Sequence, residues 1–152
     1  MKSIFPDFEE FFQLLNVHKV RYLVVGGYAF AVHAYPRFTN DLDIWIDNST
    51  ENAYNILQVL NDFGFKEVDI TADDLTVSDR IIQLGYPPLR IDIITHIDGV
   101  DFESAWESRD TSHYGKQEIY IINRELFIKN KRATGRQRDI EDLEKLKGKG
   151  EK

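Results

Sequence analysis

Apolar side chains recur along the chain with two periods, and the switches between them mark out the elements. Phe8, Phe11, Phe12 and Leu15 stand at i, i+3, i+4 and i+7 behind Pro6-Asp7, which predicts a helix with one face docked on a core. Val20 to Val25 is short, rich in β-branched residues and ends in Gly26-Gly27, so a buried strand running into a tight turn is expected. Tyr28 to Tyr35 reads as a helix that Pro36 stops, since proline has no amide to continue it. At Asp41 the period becomes two: Leu42, Ile44 and Ile46 alternate with Asp41, Asp43 and Trp45. A strand there puts both carboxylates on one face and aliphatic side chains on the other.

Helical spacing returns in Ala53, Ile56, Leu57, Leu60 and Phe63, with Ser49 or Thr50 to start it and Gly64 to close it. Phe65 to Ile70 is a candidate strand, and Thr71 with Asp74 has the form of a capping box for a short helical turn. Arg80 to Leu84 and Leu89 to Thr95 flank Gly85-Tyr86-Pro87-Pro88, the pattern of two antiparallel strands with a short connection. A short helix around Asp101 to Glu107 precedes an apolar alternation at Ile119 to Ile122. Asn123 can cap a helix through Leu126 and Phe127, and a last helix around Arg138 to Leu146 is expected to bury Ile140, Leu143 and Leu146. This order predicts an α+β fold, a mixed β-sheet flanked by helices. It forms one domain over residues 1–147, with 148–152 as a frayed charged tail.

Composition narrows the classes. At 152 residues, 42% hydrophobic and 30% charged, the chain has room for one core and belongs with folded rather than disordered proteins. No cysteine is present, so thiol nucleophiles, disulfides and thiolate metal sites drop out. The net charge of −7 argues against a broad cationic surface for nucleic acid. The N-terminus lacks the apolar run of a signal peptide and no stretch is long enough to cross a membrane, so a cytoplasmic location without membrane contact is expected.

The chemistry concentrates in two segments. Asp41 and Asp43, two apart on a strand, leave the same face with Cα atoms roughly 6.5 to 7 Å apart. Both are costly to hold ionised without a cation between them. Asp92 lies between Ile91 and Ile93 on another expected core strand; it could pair with Arg90, or a neighbouring strand could bring it beside the first two. Three hard oxygen donors without histidine or cysteine suit Mg2+, an ion that shares its shell with phosphates. Gly26 and Gly27, between strand and helix, offer amides and a positive helix end to a phosphate. Together these parts suggest phosphoryl chemistry on a nucleotide.

The blocks Val25-Gly26-Gly27-Tyr28-Ala29, Arg37 to Ile44, Arg90-Ile91-Asp92-Ile93, and Lys129-Asn130-Lys131-Arg132 leading to Arg138 through Leu143 resemble the DNA polymerase β-like nucleotidyltransferase superfamily. Within it they look most like the minimal AbiEii-toxin-like members. The resemblance implies transfer of a nucleoside monophosphate from an NTP, such as ATP, to an acceptor hydroxyl with release of pyrophosphate. It further implies that Asp41, Asp43 and Asp92 ligate two Mg2+ ions and that Asp92 helps deprotonate the acceptor. Gly26, Gly27, Arg37, Thr39 and Lys129 are then nucleotide-binding candidates. Gly27 replaces the serine of many members, and the chain lacks the large C-terminal domain with which related enzymes recognise acceptors. The acceptor is left open among a small molecule such as an aminoglycoside or lincosamide, a tRNA end and a protein. A partner protein encoded nearby, as in a toxin–antitoxin pair, is also implied.

Two other readings stand beside the enzyme. A catalytically silent module of the same fold would bind nucleotide or a partner, although it has no need of three repelling carboxylates. A nucleic-acid binder would use Lys129, Lys131, Arg132, Arg136 and Arg138, a stretch that by default is a solvated helix face. Asp139 and Asp142 read as anchors of the last helix through ion pairs. The four histidines have no ligand spacing among them and read as structural or surface residues.

Overall fold

The computed structural model describes residues 5–34, 39–64, 69–86 and 89–150. Helix α1 (Pro6–Val17) leads into strand β1 (Tyr22–Val25), helix α2 (Gly26–His33) and strand β2 (Asp41–Ile46). Helices α3 (Thr50–Phe63) and α4 (Ala72–Thr76) follow, then the hairpin strands β3 (Ile81–Tyr86) and β4 (Leu89–Ile94). Helix α5 (Phe102–Glu107), strands β5 (Asp110–Tyr114) and β6 (Gln117–Ile121), and helices α6 (Arg124–Thr134) and α7 (Gln137–Gly150) complete the chain. The α+β class read from the sequence holds.

Local chemistry accounts for most boundaries. Ser49 accepts a hydrogen bond from the Asn52 amide at the start of α3, and Gly64 ends that helix at φ +100°, in the left-handed region glycine enters without a side-chain penalty. The Thr71/Asp74 capping box is present at α4. Asn123 accepts from the Leu126 amide at 2.8 Å and so opens α6. Two boundaries differ from expectation: β1 begins at Tyr22 rather than Val20, and α2 takes both glycines into its first turn rather than leaving them in a loop before it.

The six strands form one sheet in the order β3-β4-β2-β1-β6-β5. Neighbours pair antiparallel except β2 with β4 and β1 with β6, which run parallel. The chain therefore leaves β2, passes through α3, α4 and β3, and returns beside β2 as β4. Strand β1 is buried along its whole length near the sheet centre. Phe8, Phe11 and Phe12 of α1, Tyr22 of β1, Phe30 of α2 and Phe127 of α6 are buried to within 2% of complete, and they fill the core between the helices and the sheet. No helix among the described residues is long and apolar enough to cross a membrane.

Several expectations need correction or fall outside the described residues. Strand β5 was not foreseen; it is a polar edge strand in which one residue, Tyr114, is buried. Ile140 is 46% exposed rather than packed, because α7 turns Asp139, Asp142 and Leu146 inward, at i, i+3 and i+7. Helix α7 runs through Gly150, so three residues of the expected tail are helical. Phe65 to Val68 of the candidate strand, Tyr35-Pro36 at the end of the second helix, and Pro87-Pro88 in the hairpin lie outside the described residues; Asp69 and Ile70 are not in a strand.

Candidate active site

The parallel pairing of β2 with β4 builds the site. Its register sets Asp41 beside Arg90 and Asp43 beside Asp92. Side chains alternate along each strand, and residues directly opposite share a face, so these four form one two-by-two patch carrying three acids and one base. The opposite face of the same strands holds Leu42, Ile44, Ile91 and Ile93, all buried. The alternation thus fixes the aliphatic side in the core, and the carboxylates have no other face to occupy.

Within the patch the environments differ. Asp41 is the outermost, with 43% of its side chain exposed, and accepts a hydrogen bond from an Arg90 terminal nitrogen at 3.2 Å. Asp92 is 8% exposed. Its Oδ1 lies 3.2 Å from Arg90 Nε, yet neither atom is aligned for a hydrogen bond and both are shut off from solvent. The contact is one of charge, and Asp92 keeps lone pairs free for a cation. Burial pushes the Asp43 carboxyl up to about 7, helped by the charges of Asp92 and Asp41 and opposed by Arg90. Burial also raises Asp92, against the pull of Arg90. The two neighbouring acids oppose each other's ionisation, so both are raised together.

Gly26 has φ +68°, and a Cβ there would fall inside the contact radius of Asp43 Oδ2. Its lack of a side chain lets Asp43 lie against the N-terminus of α2, where the helix dipole favours negative charge. A Cβ on Gly27 would only press on the Thr39 side chain. Thr39 is tied to the strand it precedes: its hydroxyl donates to the Asp41 carbonyl at 3.2 Å, while the Tyr28 hydroxyl donates to the Thr39 carbonyl at 3.1 Å. It therefore holds the entry of β2 against α2. Arg37 lies outside the described residues.

Lys129 is exposed on α6. The lysine buried on that helix is Lys131, which corrects the reading of the basic stretch as a wholly solvated face. Its ammonium donates to Asp139 at 3.1 Å and Asp142 at 2.9 Å, and Arg136 adds a bond to Asp139 at 2.7 Å. These acids anchor α7, as their sequence context suggested. Of the histidines, His33 donates from its ring to the Ile122 carbonyl at 2.7 Å and His18 meets Asp62 at 2.7 Å, both structural contacts. Trp45 is buried edge-on against Phe102, and Trp106 is covered by the Arg109 guanidinium at 3.9 Å.

Among the described residues, no three carboxylates or histidines already converge as a finished metal cage. The donor chemistry nevertheless fits a divalent ion: three carboxylates on one face, one of them with a buried oxygen that no hydrogen bond satisfies. The pairing of Arg90 with Asp92 offered by the sequence is present; its second link, to Asp41, was not foreseen, since it follows from a pairing between strands far apart in the chain.

The model of the aminoglycoside-2''-adenylyltransferase family matches residues 8–127. No curated protein matches the chain. A solved Thermotoga maritima protein described as a nucleotidyltransferase is similar at 20% identity, over 96% of this chain and 96% of that one, with a TM-score of 0.63. The lincosamide antibiotic adenylyltransferase LnuA, solved with lincomycin bound, is similar at 17% identity over 96% and 98% of the two chains, TM-score 0.56. An antigenic nucleotidyltransferase-like protein from Paracoccidioides brasiliensis is similar at 17% identity over 95% and 78%, TM-score 0.52. At these identities the structures share a fold.

Proposed function

Since the chain belongs to the aminoglycoside-2''-adenylyltransferase family, and is thereby a nucleotidyltransferase, we propose that it transfers AMP from ATP to a hydroxyl of a small cationic antibiotic-like acceptor. The observation that carries this reading is the register of Asp43 with Asp92 on adjacent parallel strands, with Asp41 on the same face. Asp41, Asp43 and Asp92 would hold two Mg2+ ions. When bound, Mg2+ neutralises the polyphosphate and the charge that develops at the α-phosphorus.

The protein's own groups supply the rest. Asp92, whose basicity burial raises, takes the proton of the acceptor hydroxyl. The acceptor oxygen bonds to the α-phosphorus, the bridge to the β-phosphate breaks, and pyrophosphate leaves with the electron pair. Gly26 and Gly27 open α2, whose free first-turn amides suit phosphate oxygens. Lys129 and Arg37 are assigned to the triphosphate, and Thr39 to positioning Asp41. The net charge of −7 favours approach of cationic acceptors over nucleic acid. The family's description and the antibiotic named for LnuA support the same acceptor class.

The test is transfer of radiolabelled AMP from ATP with Mg2+ to separate aminoglycoside, lincosamide, bulk tRNA and whole-protein acceptors, with Asp43→Asn as control. Label on an aminoglycoside or lincosamide supports the proposal. Label on tRNA or protein alone would move the chain to the toxin-like branch of the superfamily, where a partner protein is expected. Absence of transfer to every acceptor, with nucleotide still bound, would establish a silent module.

A further inference from the structure

The four-residue patch contains a cation of its own. Arg90 reaches Asp41 Oδ2 and Asp92 Oδ1, each at 3.2 Å, and so spans two of the three carboxylates assigned to the metal. The Asp92 contact is unaligned for hydrogen bonding although both atoms are buried, so this guanidinium neutralises charge without being locked in place. It is itself only part buried, at 30% exposure of its side chain, and has a solvent side to move toward. Its neighbour across the hairpin is Gly85, which sets no side chain against it.

Resting on the nucleotidyltransferase reading above, we infer that Arg90 is a displaceable counter-cation: it holds Asp41 and Asp92 together while the site is metal-free, and gives them up when metal and nucleotide bind. The guanidinium and a divalent ion compete for the negative charge of the same two carboxylates. Metal binding therefore meets the repulsion of a cation already beside Asp41 and Asp92, and wild-type metal affinity is lower than three acids alone would give. A released guanidinium at the same edge is a strong phosphate donor. A triphosphate thus offers Arg90 a second partner and relieves the competition, so nucleotide raises metal affinity, and metal raises nucleotide affinity by the same factor. Arg90 acts here as a positioning residue, coupling the loading of the two ligands.

The test is calorimetric titration of Mn2+ alone into wild type, Arg90→Gln and Arg90→Lys at one pH, repeated with a non-hydrolysable ATP analogue, with folding followed by circular dichroism. Arg90→Gln is expected to bind Mn2+ roughly five- to tenfold more tightly than wild type without nucleotide. It should also lose most of the nucleotide-induced gain that wild type shows. Lysine keeps the charge but lacks the fork that spans both carboxylates, so Arg90→Lys should show a smaller gain in the same direction. That variant keeps the patch's charge balance and so serves if glutamine does not fold. Equal Mn2+ affinity in wild type and Arg90→Gln, or wild-type affinity in Arg90→Lys, would overturn the role of Arg90 while leaving the metal site intact. If neither wild type nor Arg90→Gln binds Mn2+, the metal-site reading itself falls.

Discussion

The molecule has two clusters of acids and bases, and they are built to opposite ends. On β2 and β4, Asp41, Asp43 and Asp92 face the single base Arg90, and Asp41 stays partly open to solvent. Between α6 and α7, Asp139 and Asp142 are almost fully buried yet matched by Lys131 and Arg136, with the Thr134 hydroxyl also bonded to Asp139. Burial pushes acids up in the first cluster, whereas in the second the hydrogen bonds overcome burial and hold Asp139 well below the ordinary carboxylate range. An unbalanced cluster stores repulsion that a ligand can relieve. A balanced one holds two helices together and leaves nothing for a ligand to do.

Substitutions that remove one charge from each cluster should separate their roles most strongly. Asp43→Asn is expected to cut AMP transfer on the order of 10³-fold, about 4 kcal/mol of transition-state stabilisation, while the melting temperature of the metal-free protein holds or rises. Steady-state rates with thermal melts in EDTA check both halves. Lys131→Met should do the reverse, costing about 3 kcal/mol of stability because Asp139 and Asp142 lose a buried partner, with transfer per folded molecule retained. Urea unfolding followed by activity at low temperature measures it; loss of activity without loss of stability would put the α6–α7 cluster in the chemistry.

Smaller effects sharpen the same contrast. Gly26→Ala combines a positive φ with a collision at Asp43 and should cost roughly 2 kcal/mol, with reduced transfer, whereas Gly27→Ala should be milder in both. The gentlest test is pH. Asp43 stands at about 7 in the folded protein against 3.8 unfolded, so between those values the native state holds a proton that the unfolded chain has lost. Metal-free stability should therefore decline as pH rises through that window, and Asp43→Asn should flatten the decline. Asp139 is lowered on folding, so its contribution is present above the unfolded value of 3.8 and is lost only as pH falls below it. Melting temperatures from pH 3 to 9 would show the two slopes with opposite signs.

How much of this was legible in the sequence follows from how local each signal is. The alternation at Asp41 to Ile46, the Thr71/Asp74 box and the Asn123 cap are encoded within a few residues and appear as read. The facing of Asp43 and Asp92 was reachable as a possibility, because a carboxylate between two isoleucines needs a partner. Its register was not, because it depends on a parallel pairing that crosses about fifty positions of chain. Strand β5 escaped because a polar edge strand pairs on one side and needs no apolar alternation. On α7 the ion-pair anchors Asp139 and Asp142 appear as read, but placing Ile140 on the buried face did not hold, because those aspartates take that face with a lysine of the preceding helix.

The packing of Gly26 on Asp43 ties the histories of two positions that lie far apart in sequence. Any side chain at 26 contends for the volume the carboxylate fills, so the two positions cannot drift independently. A residue that replaces the glycine displaces the aspartate from where it now lies. The glycine and the aspartate are thus one unit of packing: a side chain at 26 and a carboxylate in its present place at 43 exclude each other.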